Sequence, residues 1–589
     1  MKRRNFLAVL LLSMGVVLSA CSSDSPADEP DPTPGPGEET AYGYFALKAA
    51  DSNVPTATRD PQPGDPDYDN IEVGTRDESN ITSIRVVLYN AATGVVNYTF
   101  DYATSTDGTG GVDASSIVVG AGSGGKYTPF PPTGGYTSNG IISGSKADFA
   151  NGIKTEAEYV VLQDYKLLVI VNPTTELKAF TAVSGGKTAS EFQAIVKDGL
   201  TAQQEYLYFT GASTNEFVMS NFQGFINVKE TDLKQTKAAA ETTPVEVYVE
   251  RAVAKVQFAA KGYDLDQVDT DDKAKLENAT WNLDITNKKS YIMRHQSQMY
   301  NGNVEYTNPA VAAVSRYHFY AQDPNYEVGF SHEKTPGSMV TLTDHFTYIT
   351  KTQVTNDLSA SDTDTKHLYT FENTMEAAEQ YEDVTTAAIL KIDFKPTKTA
   401  VYGINTTIFP DPETEFTNGL STYYVWTYGS TKYVFTAENL VKIRDMVAVD
   451  AAFAEFTSLH DLLNTDKAQL EGIFGTDYAF ASATPLTESK VVVGTNNGSS
   501  LTYYHTPTNY YRVLIRHFAN SLGAPVTTPM AYGRYGVVRN NVYKLTLNTV
   551  YSPGDIDIPE PKGPDDKYAY LGVEIKVLPW IIRTQDVEL

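Results

Sequence analysis

The chain of 589 residues contains a single cysteine, Cys21. One thiol allows no internal disulfide, and it leaves the rest of the chain without a thiolate metal site or a cysteine nucleophile. The fold must therefore be held by side-chain packing and backbone hydrogen bonds. Hydrophobic residues make up 41% and aromatic residues 11% of the chain, enough for sizeable cores. At roughly 100–200 residues per domain, the length predicts two or more domains.

The position of Cys21 predicts an export signal. Three basic residues at positions 2–4 precede an apolar run from Phe6 to Leu18, and Leu-Ser-Ala-Cys ends the segment. This pattern is typical of a bacterial lipoprotein signal peptide over residues 1–20, which is cut so that the thiol of Cys21 can carry a lipid. The apolar run is shorter than the roughly 20 residues of a membrane-spanning helix.

The composition of the chain limits the classes of molecule that it can bind. Lys and Arg number 46 against 72 Asp and Glu, which gives a net charge of −26. Such a charge repels phosphate backbones and anionic lipid headgroups, so we expect no nucleic-acid partner. Residues 21–40 are acidic and Pro-rich, and we interpret them as a flexible tether. Tyr exceeds Phe, 39 to 25, and β-branched residues are frequent, which favours strands over helices.

Alternating or continuous apolar segments bounded by turn residues predict strands. They are Ala41–Ala50, Ile81–Asn90, Tyr165–Pro173, Val245–Ala260, Trp281–Ile285, Ala387–Phe394, Ser421–Tyr428 and Tyr510–Phe518. Helical spacing predicts helices within Thr188–Tyr206 and Thr436–Leu463. The polar region from Tyr102 to Gly144 is interpreted as surface loops.

Strands without regular alternation with helices predict antiparallel β-sandwiches rather than a parallel α/β sheet. We place the domain boundary before Val245, which gives an N-terminal domain over 41–244 and a C-terminal domain over 245–589.

The candidate binding motifs are incomplete. Gly120, Gly125 and Lys126 have phosphate-loop spacing, but Tyr127 stands where a Mg²⁺-binding Ser or Thr is needed, and prolines follow where a helix should begin. Asp65, Asp67 and Asp69 start like a calcium loop, but Asn70 and Arg76 occupy the positions that require Gly and Glu. We therefore expect neither nucleotide nor calcium binding.

The histidines predict no zinc site. None of the eight has the i, i+4 spacing that places two imidazoles on one helix face, and the chain has no GxSxG motif. They are His295, His318, His332, His345, His367, His460, His505 and His517. We predict that the protein is not an enzyme and needs no cofactor or metal.

The C-terminus, residues 571–589, has the pattern of an apolar strand. Val573, Ile575, Val577, Pro579 and Ile581 share one face of an extended chain. Residues 552–567 contain little that could be buried, and we interpret them as a mobile linker. An apolar strand after such a linker can fold back or complete the sheet of another molecule.

A set of motifs in this order resembles the fimbrillins of Bacteroidales, also described as type V pilins. The resemblance covers almost the whole mature chain, although each motif is weak alone. The motifs are the lipoprotein signal, ALKAADSNVPTATRD, DESNITSIRVVLYN, YKLLVIVNP, ERAVAKVQF, VVRNNVYKLTLNTV and VEIKVLPW.

The resemblance implies two antiparallel β-sandwich domains of transthyretin-like, Greek-key topology with a few short helices. It also implies a lipid-anchored precursor at the outer membrane, from which a trypsin-like protease removes the first strand after an arginine. The emptied groove then accepts a strand from the next subunit.

Mapped onto this chain, the resemblance assigns specific residues. The cut follows Arg59, which lies a short polar spacer beyond the first strand, and Arg76 is the alternative. Residues 41–59 would be removed. The displaced strand contains Tyr42, Tyr44, Phe45 and Leu47, and the donor strand contains Val573, Ile575, Val577, Pro579 and Ile581.

The implied function is that of a structural subunit of a cell-surface fimbria that supports adhesion and biofilm formation. Its partners would be copies of itself or related subunits, the maturation protease and, through the lipid, the outer membrane. The surface receptor stays unidentified. Two alternatives remain open: a tip or minor adhesin with a glycan- or protein-binding surface, and a surface lipoprotein that binds or cleaves glycans.

Overall fold

Strands dominate the structure, a computed structural model. It describes residues 42–45, 47–51, 71–72, 83–106, 112–119, 127–129, 153–155, 157–197, 217–222, 224–296, 321–326, 328–330, 342–361, 366–402, 418–447, 450–474, 486–494, 498–517, 534–561 and 580–588. All of these belong to one compact unit, Tyr42–Leu589. The mainly β fold class is confirmed.

The first fourteen strands run from the leading segment to the middle of the chain. They are β1 Tyr42–Phe45, β2 Leu47–Asp51, β3 Ile71–Glu72, β4 Ser83–Asn90, β5 Val96–Thr106, β6 Val112–Val119, β7 Tyr127–Pro129, β8 Ile153–Thr155, β9 Glu158–Val161, β10 Tyr165–Val171, β11 Val196–Lys197, β12 Met219–Asn221, β13 Ile226–Val228 and β14 Val245–Arg251.

The remaining strands continue to the C-terminus. They are β15 Ala254–Ala260, β16 Ala274–Asp284, β17 Thr286–Asn287, β18 Ser290–Tyr291, β19 His295–Gln296, β20 Ala321–Gln322, β21 Phe346–Thr347, β22 Asn356–Asp357, β23 His367–Thr370, β24 Ala387–Pro396, β25 Tyr423–Tyr428, β26 Thr431–Phe435, β27 Lys490–Val493, β28 Ser500–Tyr504, β29 Thr508–Leu514, β30 Asn541–Thr549 and β31 Trp580–Glu588.

The described helices are short. The α-helices are Thr175–Phe180, Ala189–Gln193, Lys237–Thr242, Lys398–Tyr402, Ala437–Met446, Thr457–Thr465 and Lys467–Phe474. The 3₁₀ helices are Glu230–Asp232, Lys261–Tyr263, Leu265–Gln267, Lys351–Gln353, Ala377–Glu379 and Ala451–Phe456. The helical insertion predicted from Thr436 is confirmed and extends to Phe474. Its first helix is capped by Thr436, whose Oγ1 accepts a hydrogen bond of 3.2 Å from the Asn439 N–H.

The helix predicted over Thr188–Tyr206 is wrong in extent. A capping box between Thr188 and Glu191 starts the helix, but it ends at Gln193. Strand β11 follows at once and pairs with β18. Pairing with a distant strand overrides the helical spacing of the apolar residues here.

The largest sheet runs in the order β6-β5-β4-β10-β12-β14-β2-β8-β7, with β13 also on β10. Its centre is β10, which was predicted as a strand that is apolar on both faces. Leu167, Leu168, Val169 and Ile170 are all fully buried, so this prediction is confirmed. A hydrophobic cluster, here the first cluster, surrounds β10 and β4 and includes Phe192.

Two further sheets enclose another hydrophobic cluster, here the second cluster, which includes Phe258 and Trp281. One has the order β23-β15-β30-β31-β3 and the other β22-β16-β24-β29. Phe258 of β15 meets Trp281 of β16 edge to face, with ring centroids 5.8 Å apart. A third sheet, β26-β25-β28-β27, and the helices from Ala437 to Phe474 contribute to the same cluster.

The boundary predicted before Val245 differs from the change of sheet. Strand β14, which begins at Val245, pairs with β12 and β2 of the largest sheet. The chain enters the next sheet only at Ala254, where β15 begins.

Most strand pairs are antiparallel, as predicted, but three are parallel. These are β14 with β2, β15 with β30 and β30 with β31. Their partners lie far apart in sequence, so the intervening chain can make the crossover that a parallel pair requires.

The prediction of loops from Tyr102 to Gly144 is wrong in part. Strand β5 continues to Thr106, and β6 and β7 lie within the region. Strands β5 and β6 pair from Tyr102 with Val119 to Thr106 with Val112. These stretches are rich in Thr, Val and Ile, whose backbone pairing does not require a strongly apolar sequence.

Ile285 has a strained backbone. Its φ is 58°, in the left-handed region that β-branched residues rarely adopt, and its side chain is fully buried with Leu342, Phe346 and Val384. Its carbonyl accepts a 2.8 Å hydrogen bond from the Thr386 hydroxyl. The strain occurs where the chain turns from β16 into β17.

We expect Ile285→Gly to lower the free energy of unfolding by about 2 kcal/mol. Losing the buried side chain costs about 2–5 kcal/mol, while the relieved backbone strain returns about 1–3 kcal/mol. The measurement is urea denaturation. Ile389→Gly is the control, because Ile389 is equally buried in β24 without positive φ. It should cost more, and equal losses would show that Ile285 stores no strain.

Candidate assembly site

The leading segment is shared between several sheets. Strand β1 pairs antiparallel with β9, from Tyr42 opposite Val161 to Phe45 opposite Glu158. Strand β2 follows after one residue and joins the largest sheet. The single strand predicted over Ala41–Ala50 is therefore two strands, and it contains all four residues predicted to be displaced: Tyr42, Tyr44, Phe45 and Leu47.

Strand β2 lies inside the largest sheet and not at its edge. It is parallel to β14, from Leu47 opposite Val245 to Asp51 opposite Val249, and antiparallel to β8 on its other side. On β14, Val247 is fully buried and Val249 nearly so, and both belong to the first cluster. Removing β2 would leave two unpaired strand edges facing each other.

The C-terminal strand is paired within its own chain. Strand β31 is parallel to β30, from Ile581 opposite Asn541 to Glu588 opposite Thr549. On its other side Trp580 and Ile581 pair with β3, at Glu72 and Ile71. The leading segment and the C-terminal strand therefore meet in one sheet.

Several predicted site residues lie outside the described residues. They are Cys21, Arg59 and Arg76, the donor residues Val573, Ile575, Val577 and Pro579, the phosphate-loop candidates Gly120, Gly125 and Lys126, and Asp65, Asp67 and Asp69. Of the predicted donor residues the structure places only Ile581, at the start of β31.

The linker predicted over 552–567 is wrong for its first part. Residues Ser552–Pro561, here the docked segment, lie against β29, and Asp555 exchanges two backbone hydrogen bonds with Tyr510, of 2.9 and 3.0 Å. Pro553 and Gly554 are buried. The contacts use mainly the carbonyls of the segment, so its polar side chains gave no sign of them.

Polar residues of two resemblance motifs meet in the interior. Arg251 ends β14 in the ERAVAKVQF motif, and Asn540 precedes β30 in the VVRNN motif. The Arg251 Nη1 donates a 3.1 Å hydrogen bond to Asn540 Oδ1, and the Asn540 N–H donates to the Val253 carbonyl at 2.7 Å. A charged residue beside a predicted buried strand was the available sequence signal for this contact. The contact itself was not predicted.

Arg539 and Glu372 form a fully buried ion pair. Arg539 Nε lies 3.0 Å from Glu372 Oε2, and both side chains have 0% exposure. The Arg539 backbone N–H also donates to Glu372 Oε1 at 3.2 Å, and Nη2 donates to the Tyr291 carbonyl at 2.9 Å. The remaining hydrogen-bonding capacity is thus largely used, as a buried pair requires.

This pair lies where the two clusters meet. Phe371, next to Glu372, belongs to the first cluster together with Val542, whereas Val537 and Tyr543 belong to the second. A second buried pair, Arg294 with Glu250 at 3.2 Å, lies in the same region, with exposures of 2% and 1%. The arrangement holds the two clusters in fixed relation and offers no nucleophile or general base to solvent.

Asp323 is buried close to this pair. The two oxygens of its carboxyl group accept hydrogen bonds from the backbone N–H groups of Asn325 and Thr374, at 2.5 and 2.6 Å. Burial, assisted by the negative charge of Glu372, raises the pKa of Asp323 to about 8. The folded chain therefore keeps a proton on this group at neutral pH.

The described residues show no catalytic or metal-binding cluster. No group of three or more His, Cys, Asp or Glu side chains in the described part of the chain could hold a metal ion. His318 and His332 lie outside that part, and the other six histidines are scattered. The described helices include none that is long and apolar enough to cross a membrane.

These features define a mainly β protein whose first strand pairs with β9 and whose last strand pairs with β30 and with β3. Residues 502–586 match the family described as "Major fimbrial subunit protein type IV, Fimbrillin, C-terminal". The match covers β29, β30, the docked segment and most of β31. The C-terminal part of the chain thus matches the fimbrillin family, and the resemblance found in the sequence motifs is confirmed.

By its description, the matched family consists of major fimbrial subunit proteins. The family is one of structural proteins. Comparison with curated protein sequences gives no significant match.

Several solved structures are similar at low sequence identity. A candidate cell adhesion protein from Parabacteroides distasonis is 10% identical, with coverage of 93% of this chain and 99% of that chain and a TM-score of 0.36. The tip fimbrial protein Mfa3 from Porphyromonas gingivalis is 11% identical, with coverage of 67% and 98% and a TM-score of 0.25. A fimbrial assembly protein from P. distasonis is 10% identical, with coverage of 61% and 83% and a TM-score of 0.22. At these scores none of the likenesses supports a functional inference.

We expect Glu372→Gln to lower the free energy of unfolding by about 3–5 kcal/mol, because it leaves the Arg539 charge buried without its counter-ion. Chemical denaturation measures the loss. Asp357→Asn is the control, since its pair with Lys366 is exposed, and it should cost less than about 1 kcal/mol. Glu372→Gln combined with Arg539→Met should recover part of the loss. Similar costs for the two single variants would contradict the role of the buried pair.

Asp323 should make stability fall as pH rises from about 4 to 8. The unfolded chain loses this proton near pH 4 and the folded chain near pH 8, so between them the folded state binds the extra proton. The slope is up to about 1.4 kcal/mol per pH unit. Asp323→Asn should remove this component, so that the difference in stability between variant and wild type changes with pH. The measurement is urea denaturation at pH 5 to 8, and parallel curves for variant and wild type would refute the assignment.

Proposed function

We propose that this protein is a structural subunit of a cell-surface fimbria that polymerises by donor-strand exchange and supports adhesion and biofilm formation. The precursor is anchored to the outer membrane by a lipid on Cys21. A trypsin-like protease cuts after Arg59, or alternatively after Arg76, and the leading strand leaves. The two sandwich domains are then 41–244 without the removed strand and 245–589, and the donor strand comes from 571–589.

The observation that supports this proposal best is the position of β2 between β14 and β8. A strand at a sheet edge could be lost with little consequence for its neighbours. A strand inside a sheet leaves unpaired N–H and C=O groups on both sides, together with the buried valines of β14. The resulting gap fits an extended chain with an apolar face, as β-strand addition requires.

Covalent attachment explains why a cut is needed. Each net hydrogen bond contributes about 0.5–1.5 kcal/mol, so a strand from another molecule gains no more than the resident strand does. The resident strand is tethered to its own sheet, and this keeps its effective concentration high. Proteolysis removes the tether and lets a neighbouring subunit compete.

Because β3 pairs with β31, the two candidate cuts have different consequences for the C-terminal strand. A cut after Arg59 leaves Ile71 and Glu72 attached to the rest of the chain, so they can stay on β31. A cut after Arg76 detaches β3 together with β1 and β2. In this proposal, only the second cut releases the outer edge of β31 at Trp580 and Ile581 along with the groove.

The test uses purified protein lacking residues 1–20 and treated with trypsin. We expect a new N-terminus after Arg59 or Arg76 and ladders that resist mild denaturant. Val577→Asp should abolish the ladders, because it places a charge on the apolar donor face. Lys576→Asp, which changes the opposite face, is the control and should retain them. Sequencing of the N-terminus and gel electrophoresis measure both results, and ladders formed by protein lacking 571–589 would contradict the proposal.

The in-chain pairing of β31 favours a second candidate, a tip or minor adhesin that accepts a strand but does not donate one. In that role β31 stays on β30 after processing. Cleaved protein would then cap the chains of other subunits and form no ladders alone. Hydrogen exchange of residues 580–588 in assembled material separates the two roles: these residues stay on β30 in a tip subunit and leave it in a shaft subunit.

A further inference from the structure

The docked segment, Ser552–Pro561, joins two sheets. Its backbone pairs with Tyr510 on β29, the outer strand of the sheet β22-β16-β24-β29. The hydroxyl of Tyr504, on β28 of the neighbouring sheet, donates a 2.5 Å hydrogen bond to the Gly554 carbonyl. Lys432 Nζ on β26 donates to the Pro553 carbonyl at 2.7 Å. The chain that leads to the C-terminus is therefore held at a fixed place.

Further donors hold the two ends of the segment. The Tyr511 hydroxyl donates to the Ser552 carbonyl at 2.9 Å, and Arg512 Nε donates to the Pro559 carbonyl at 2.9 Å. Near the middle, Lys351 Nζ lies 2.9 Å from Asp557 Oδ2 and donates to the Ile556 carbonyl at 3.1 Å. Attachment is thus spread along the whole segment, so it cannot peel away through the loss of one contact.

The approach at Gly554 is too close for any side chain. A Cβ at this position would lie 2.5 Å from the Tyr510 carbonyl oxygen and 2.9 Å from the Tyr511 ring. The glycine is needed here for space, because its backbone lies directly on β29.

We infer that the docked segment stays with its own subunit in the assembled fimbria, so that the exchangeable part of the C-terminus begins after Pro561. Tyr504, Tyr511 and Arg512 are positioning residues: they fix the point from which the donor leaves its subunit. This inference rests on the proposed donor-strand function. Tension in the fimbria then acts on β28 and β29 through the docked segment, and β30 is spared.

Cross-linking of mixed-isotope fimbriae tests the boundary. Trypsin-processed subunits labelled with ¹⁴N and ¹⁵N are mixed, assembled and treated with a carbodiimide, which joins Lys351 to Asp557. The inference requires same-isotope peptides only, as for the control pair Lys366 and Asp357 of one subunit, 3.2 Å apart. Mixed-isotope Lys351–Asp557 peptides would overturn it. Failure of wild-type subunits to assemble would instead overturn the proposed function, and the inference with it.

Gly554→Ala tests whether the segment carries tension. The clash should lower the yield of the Lys351–Asp557 cross-link in the monomer about tenfold. In force–extension measurements, fimbriae of the variant should lengthen by up to roughly 30 Å more per subunit before they resist, since the freed segment adds its length. Gly472→Ala is the control, because a Cβ there meets nothing within 4 Å. Equal extension of variant and wild type would show that the docked segment does not carry tension.

The double variant Tyr504→Phe and Tyr511→Phe gives the same test without a clash. It removes two hydroxyl donors and keeps both rings. Its fimbriae should show the added extension, whereas Tyr433→Phe, whose ring stacks on Trp426, should not. A purely structural role of the two tyrosines would lower monomer stability and leave the extension unchanged, which would refute the inference.

Discussion

The buried ion pair of Arg539 and Glu372 is the contact on which the arrangement of the two clusters depends. It lies between Phe371 and Val542 of one cluster and Val537 and Tyr543 of the other. In a chain whose single cysteine excludes internal disulfides, this junction is held by charge and packing. Exposed pairs elsewhere contribute little by comparison, because water screens them. A buried guanidinium also fixes direction, since it binds the carboxylate and a carbonyl in one plane.

The parts of the fold that the sequence predicts are those with a strong local signal. Strand β10 is a continuous apolar run, and the helix after Thr436 has a cap and regular apolar spacing. The parallel partner of β2 could not be predicted, because pairing between residues 47 and 245 leaves no mark on either local pattern. Strand β6 lies in a region interpreted as loops, although its last residues, SIVV, have a strand-like pattern, because backbone pairing stabilises a strand of modest hydrophobicity.

The candidate site also has parts that the sequence predicts and parts that it does not. The leading strand was recognisable from its alternation, and so was the apolar character of the C-terminus. The docked segment was not, because its partners bind main-chain carbonyls that every sequence possesses. The polar residues of the ERAVAKVQF and VVRNN motifs can be recognised in the sequence. Only the structure shows that Arg251 and Asn540 contact each other. In this chain, Arg251 next to a buried strand makes an interior contact and does not lie at the surface.

The parallel pairing of β2 with β14 has a kinetic consequence. Residue 47 is synthesised well before residue 245, and the chain between the two strands contains the other strands of their sheet. Closing so long a loop is slow, so β2 is expected to join after the rest of its sheet has formed. Elements that join late tend to open as separate units of low local stability. The order of folding thus makes β2 the last strand to join its sheet, and we expect it to open at a lower cost in free energy than the strands around it.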